Sequence, residues 1–191
     1  MWGWKMSAAA HVLTVIQNCS LYMPFATDAC CVAFRGTASS SDILSDMQFQ
    51  QRAYGEGRVH SGFLALHEAL RESIPRPRRE PILVGGHSMG ACLAVLYAYE
   101  LVEAGHAVEG VYLFGMPKMG DRDFCREYDR RLGERTFRFE NYNDIVTRLP
   151  PQRVYKHLGS CVSCSFDHGL FTRNHDLDNY AAHLGIQLCD Y

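Results

Sequence analysis

Ser88 sits in the pentapeptide GHSMG, with Gly86 two places before it and Gly90 two places after. The motif joins an apolar run, PILVG, to a run of helical character, MGACLAVLYAYELVEAG. A serine on such a strand-to-helix turn is exposed at a helix N-terminus, where backbone N–H groups and the helix dipole favour developing negative charge. That setting suits a nucleophile attacking a carbonyl carbon. The two glycines supply the small neighbours that so sharp a turn demands. A plainer reading makes Ser88 a helix cap. Serine is inert at neutral pH without a base, and the base needs an acid to orient it. The motif therefore predicts a histidine and a carboxylate farther along the chain.

For the order serine, acid, histidine, the candidate acid is Asp144 in TFRFENYNDIVTRLPP, which follows the apolar run 136–139 and precedes a proline-terminated loop. Asp121 and Asp123, in GDRDF, read better as residues of a helix start. Beyond Asp144 stand His157, His168, His175 and His183. His175, in TRNHDLDNYAAHLG, occupies the place where a loop would enter a final helix and is the preferred base. His157, in VYKHLG, looks like part of a strand, and His168 and His183 stay open as alternatives. His60 and His87 are assigned packing and hydrogen-bonding roles around the turn.

The elements that must position these groups alternate. Ala29–Phe34, Ile82–Gly85, Val108–Phe114 and Thr136–Asn141 are short and rich in branched and aromatic residues, as strands are. Ser61–Ser73, Met89–Ala104 and Asp121–Leu132 have helical length and apolar residues at helical spacing. The alternation predicts an α/β fold with a mostly parallel central sheet flanked by helices on both faces. Reactive groups in such sheets gather outside the carboxyl ends of the strands.

A chain of 191 residues suits a single domain over 1–191. Apolar residues make up 47% and charged ones 21%, and the formal net charge of -2 argues against a generally polyanion-binding surface, so no nucleic-acid partner is expected. No run approaches the roughly 18 apolar residues of a membrane span. The start, MWGWKMSAAAHVLTVIQ, is a poor signal peptide, which places the chain in the cytoplasm. The segment IPRPRRE reads as a solvated loop, with contact to anionic lipid headgroups as its alternative.

The 8 cysteines lack the spacing of a secreted disulfide framework and read mostly as buried thiols. His157, Cys161, Cys164 and His168 form HxxxCxxCxxxH, a crowded relative of zinc-site spacing. Reduced thiols on a hairpin are the preferred reading there, with a Cys161–Cys164 disulfide or a zinc site as alternatives. No metal and no cofactor are expected.

GHSMG, together with VAFRGT at 32–37, VHSGF at 59–63, NDIVTRLPP at 143–151 and NHDLDNY at 174–180, resembles the fungal-type class 3 lipase family of the α/β-hydrolase superfamily. The ordered set spans about Ala29 to Leu184. The resemblance implies an α/β-hydrolase fold that cleaves carboxylic esters of lipids, with a lipid or ester substrate met at a lipid–water interface. It implies Ser88 as nucleophile, Asp144 as acid and His175 as base. It further implies Thr37 as an oxyanion-hole donor, joined by the backbone N–H of Met89, and a lid over Ala38–Met47 whose apolar face would be Ile43, Leu44 and Met47. Two departures stand out. Ala91 and Cys92 follow Gly90 where the family usually carries a second glycine, and FRGT arrives by position 34, which implies a shortened N-terminus. A non-catalytic lipase-like binding module, or an acyltransferase or thioesterase using the same triad, are the alternative functions.

Overall fold

The computed structural model describes residues 14–16, 19–22, 30–36, 50–74, 76–77, 81–151 and 153–186. Its strands, in chain order, are β1 Thr14–Ile16, β2 Cys19–Tyr22, β3 Cys30–Phe34, β4 Gln51–Tyr54, β5 Gly57–His60, β6 Ile82–His87, β7 Val108–Phe114, β8 Thr136–Asn141 and β9 Ser160–Cys164. The helices are α1 Ser61–Leu70, α2 Met89–Glu103, α3 Arg122–Leu132, α4 Phe171–His175 and α5 Leu177–His183. Seven strands form one sheet in the order β1-β2-β3-β6-β7-β8-β9, and β4 pairs with β5 in a separate antiparallel hairpin. From β3 to β9 every neighbour in the large sheet is parallel, while β1 and β2 add an antiparallel edge.

Alternation in the strands sets two faces. Ile82 and Val84 of β6 and Val111 and Leu113 of β7 are buried toward α2. That helix is apolar around most of its circumference, with Ala91 to Tyr99 all buried, as expected of a helix covered on every side. It lies between the sheet and helices α1 and α3. Each fully buried aliphatic side chain there contributes about 1.5–3 kcal/mol. On the other face of the sheet Tyr112 stacks on Phe137 at 5.6 Å and Phe114 on Phe139 at 4.7 Å. Tyr180 meets the Phe114 edge at 6.3 Å and so brings α5 against this second face, near the carboxyl ends of the strands.

The hairpin is fastened to the body by a buried carboxylate. Glu127 of α3 accepts hydrogen bonds from the Glu56 N–H at 2.6 Å, the Tyr99 hydroxyl at 2.7 Å and Arg131 at 3.1 Å. Three donors offset the cost of removing that charge from water.

All four expected strands are present, though β6 runs on through Gly86 and His87, and Ala29 lies outside the described residues. The expected helix over 61–73 ends at Leu70 and tightens into a 3-10 turn, Arg71–Ser73. VYKHLG is not a strand: within it Lys156 alone makes an isolated bridge, to Gly120. The strand of this region is β9, which pairs in parallel with β8, so Cys161 and Cys164 sit on a sheet edge rather than on a hairpin. Both are free thiols. Strand residues three apart face opposite sides, which separates them. Cys161 instead donates toward Glu140, and His168 lies against Phe166. Among the described residues no three His, Cys, Asp or Glu side chains are placed to hold a metal ion. None of the described helices is long and apolar enough to cross a membrane.

Candidate active site

Ser88 occupies the turn between β6 and α2 with φ 57 and ψ -128, the one positive φ of a non-glycine among the described residues. Such a backbone costs about 1–3 kcal/mol and persists only where its surroundings hold it. They do so tightly. The Ser88 N–H is bonded to the Phe114 carbonyl at 2.9 Å. A methyl group on Gly86 would lie 2.4 Å from the Gly90 carbonyl oxygen, and one on Gly90 would lie 2.3 Å from that of Phe34. Both glycines are therefore required by close backbone approach. Ala91 and Cys92, at the family's departure point, are fully buried in α2.

The Ser88 side chain makes no capping bond to its helix. Its Oγ lies 2.8 Å from His175 Nε2, and His175 Nδ1 lies 2.8 Å from Asp144 Oδ2. All three side chains are buried, Asp144 completely. A carboxylate only accepts, so Nδ1 carries the hydrogen toward Asp144 and leaves Nε2 free to accept from the serine hydroxyl.

Asp144 reaches this position from just beyond β8, at the start of the 3-10 turn Ile145–Arg148. Its Oδ1 accepts the Val146 N–H at 2.9 Å, and the Thr147 hydroxyl donates to its carbonyl at 2.8 Å. A residue that the sequence did not single out completes the shell. Tyr180 donates its hydroxyl to Asp144 Oδ2 at 2.8 Å while accepting the Asn141 N–H at 2.9 Å. Burial, then the neighbouring charge of Asp144, pushes the Tyr180 phenol far up, so it stays a donor. Its only trace in the sequence is a place five residues after His175, on the inner side of the last helix.

His175 does not open the final helix; it closes the short helix α4, with α5 beginning two residues later. His87 holds it from behind. His87 Nε2–H donates to the His175 carbonyl at 2.7 Å, and the two rings lie 4.7 Å apart. The expected hydrogen-bonding role of His87 at the turn is thus observed. His60 instead caps α1, accepting the Gly62 N–H at 3.1 Å and stacking on Phe63 at 4.3 Å. The other candidates stay apart from Ser88. His157 bonds the Thr147 carbonyl at 2.7 Å, the His183 ring packs on Phe166 at 5.4 Å, and Asp121 caps α3.

Charge on a carbonyl oxygen at Ser88 would need donors. The Met89 N–H, first of α2, has no acceptor among the described residues, as expected of a helix start. Thr37 and the expected lid at 38–47 lie outside the described residues. Gly36, immediately before Thr37, is described and buried. A methyl group on it would lie 2.8 Å from the His87 carbonyl oxygen and 2.9 Å from Ser88 Cβ, so FRG crosses directly beside the turn.

The histidines give the fold an acid limit. Burial, then the nearby His175, pushes His87 down to about 3 from an ordinary value near 6.5. His157 is pushed down to about 4 by burial first and then by Arg138, and burial also lowers His60 and His67. Above pH ~6.5 both folded and unfolded chains hold these rings neutral; below it only the unfolded chain takes up protons. Stability therefore falls as pH drops from about 6.5 toward 4, by about 1.4 kcal/mol per pH unit for each of His87 and His157, with His60 and His67 acting in the same direction. Thermal melting across this range should show a steady fall in Tm; a flat profile would contradict the buried neutral state.

The family model described as Lipase (class 3) matches residues 31–154. The chain belongs to the class 3 lipase family. The matched span of this class 3 lipase includes Ser88 and Asp144 and stops short of His175, which the fold adds. Phospholipase A1-II 6 of Oryza sativa subsp. japonica is 30% identical over 173 residues, covering 68% of this chain and 42% of that protein. Secreted mono- and diacylglycerol lipase LIP4 of Malassezia restricta is 31% identical over 144 residues, covering 64% of this chain and 47% of that protein. The chain thus spans less than half the length of these curated relatives. A lipase structure from Rhizopus microsporus var. chinensis superimposes with a TM-score of 0.68 at 24% identity, covering 80% of this chain and 59% of that one. The lipase II structure from Rhizopus niveus gives 0.68 at 22%, covering 81% and 64%. The fold is therefore that of α/β-hydrolase lipases.

Proposed function

We propose that this class 3 lipase cleaves carboxylic esters of lipids through an acyl-enzyme on Ser88, without a cofactor. The observation that carries the reading is the continuous line from Ser88 Oγ through the His175 ring to Asp144, with both bonds at 2.8 Å. Ser88 Oγ attacks the ester carbonyl carbon while His175 Nε2 takes its proton. The carbonyl oxygen, now an anion, is received by the Met89 N–H and by Thr37, each donor typically worth about 3–4 kcal/mol in the transition state. Collapse breaks the ester bond, and the imidazolium returns its proton to the departing alkoxide. A water then gives its proton to His175 and attacks the acyl-serine, releasing the carboxylic acid and restoring Ser88. Asp144 stays ionised throughout, fixing the ring and stabilising its charged form.

Lipid esters are favoured by the surroundings and by the relatives. Tyr142, Ile145, Leu170 and Phe171 are exposed apolar side chains on the segments that carry Asp144 and His175, and exposed apolar groups near the triad suit a lipid–water interface. The relatives are named for phospholipid and for mono- and diacylglycerol substrates. Nitrophenyl esters of increasing chain length, run beside a phospholipid and an acylglycerol emulsion, test the reading. Hydrolysis of at least one class, with fluorophosphonate labelling of Ser88, is expected. No turnover and no labelling on the folded protein would leave a non-catalytic module in its place.

A further inference from the structure

The outer face of α3 carries Arg122, Arg126 and Arg130, exposed and one helical turn apart, while Phe124, Tyr128 and Leu132 point into the core. Facing them is the exposed segment that holds Arg153 and Lys156. A cleft of about 690 Å³ opens between Arg122, Arg126, Arg130 and Lys156. A second cavity of about 370 Å³ shares Arg122 and Lys156 and adds Arg153 and Val154. The two form one basic trough on a chain whose net charge is -2.

Asp121, Asp123 and Asp129 also line the trough, three carboxylates against its five cations, so it keeps a smaller positive excess. Asp121 is engaged by the N–H groups of Asp123 and Phe124, and Asp129 by that of Gly159. Arg130 pairs with Glu56 at 2.6 Å, and Arg126 only loosely with Asp123 at 3.6 Å. Arg122, Arg153 and Lys156 have no ion-pair partner among the described residues. Between these cations stands Val154, 57% exposed. His157 lines the larger cleft and bonds the Thr147 carbonyl, and the Thr147 hydroxyl donates to the Asp144 carbonyl, so two hydrogen bonds link the trough to the backbone of the triad acid.

We propose that this trough docks onto an anionic phospholipid surface, its cations against headgroup phosphates and Val154 at the acyl boundary. Long basic side chains around an exposed apolar one match such a surface, where charge and burial act together. Docking here brings the triad close to the lipid; it rests on the ester-hydrolase reading only for what the docking serves.

Co-sedimentation of the full chain tests it, with vesicles of phosphatidylcholine alone and of phosphatidylcholine mixed with phosphatidylglycerol. Binding is expected to the mixed vesicles and to weaken as salt is raised. The double variant Arg122→Gln with Lys156→Gln is expected to bind them roughly 30-fold less tightly. Both changes are on exposed positions, and turnover of a soluble short-chain ester should match the wild type. Equal wild-type binding to both vesicle types, or undiminished binding by the variant, overturns the proposal. Uptake of inorganic phosphate without vesicle binding also overturns it, assigning the trough to soluble anions. Charge-dependent vesicle binding by a wild type that hydrolyses no ester would sink the hydrolase reading and leave the docking surface standing.

Discussion

Ser88→Ala is expected to lower kcat by roughly 10⁴- to 10⁶-fold, down to the background that oxyanion donors and binding alone provide. The proposed reaction has no second nucleophile: the attacking atom is the Oγ that lies 2.8 Å from His175 Nε2. Alanine keeps the Cβ and accepts the same φ of 57 at the strain serine already bears, so folding should survive. One buried ring nitrogen loses its partner, a cost of about 1–3 kcal/mol at most. A melting curve beside a kcat measurement separates the two effects. A folded variant with most of its activity intact would remove Ser88 from the reaction.

Asp144→Asn should cost about 10⁴-fold in kcat with little change in KM. The substitution keeps the shape and reverses one dipole. Asp144 accepts from three donors, namely the Val146 N–H, the Tyr180 hydroxyl and His175 Nδ1. An asparagine has a single acceptor oxygen, and its NH₂ group must face one of those donors unless the ring changes tautomer. If the ring does change, Nε2 carries the hydrogen and faces Ser88 as a donor, unable to take its proton. If it does not, a buried donor pair is left in conflict and the fold loses stability. Activity within about tenfold of wild type would show that proton transfer does not depend on this carboxylate.

Much of this site was legible because its backbone requirements leave marks on residue type. Gly86 and Gly90 flank Ser88 because the backbones of β3 and α2 pass too close for any side chain, and that shows as GxSxG. Val84, Val111 and Phe139 announce strands as parts of short runs rich in branched and aromatic residues, and Asp144 follows from being the first carboxylate past the strand Thr136–Asn141. β9 left no such mark. SCVSC is an edge strand with only Cys164 buried, so its pairing with β8 is written in backbone bonds rather than in apolar periodicity. The same region offered a zinc-like spacing, which a strand's two-residue period divides between opposite faces. Tyr180 carries no mark of its role either, because nothing local shows that its hydroxyl ends at a carboxylate 36 positions earlier. The helix break just after His175 was hidden for a related reason: α4 is held by contacts across the fold rather than by its own propensity.

The last described segment is joined to the sheet at a few polar points: His87 to the His175 carbonyl, Asn141 to the Asn174 carbonyl, and Tyr180 to Asp144. Most of its remaining side chains face solvent. Its undocking would uncover Tyr180 and the Phe114 ring it packs on but would leave the central sheet and α2 whole, and it would carry the base away from the nucleophile. Such a molecule would be silent while still folded, so gentle chaotropes, or cleavage just ahead of Phe171, would extinguish turnover well before the body of the protein melts.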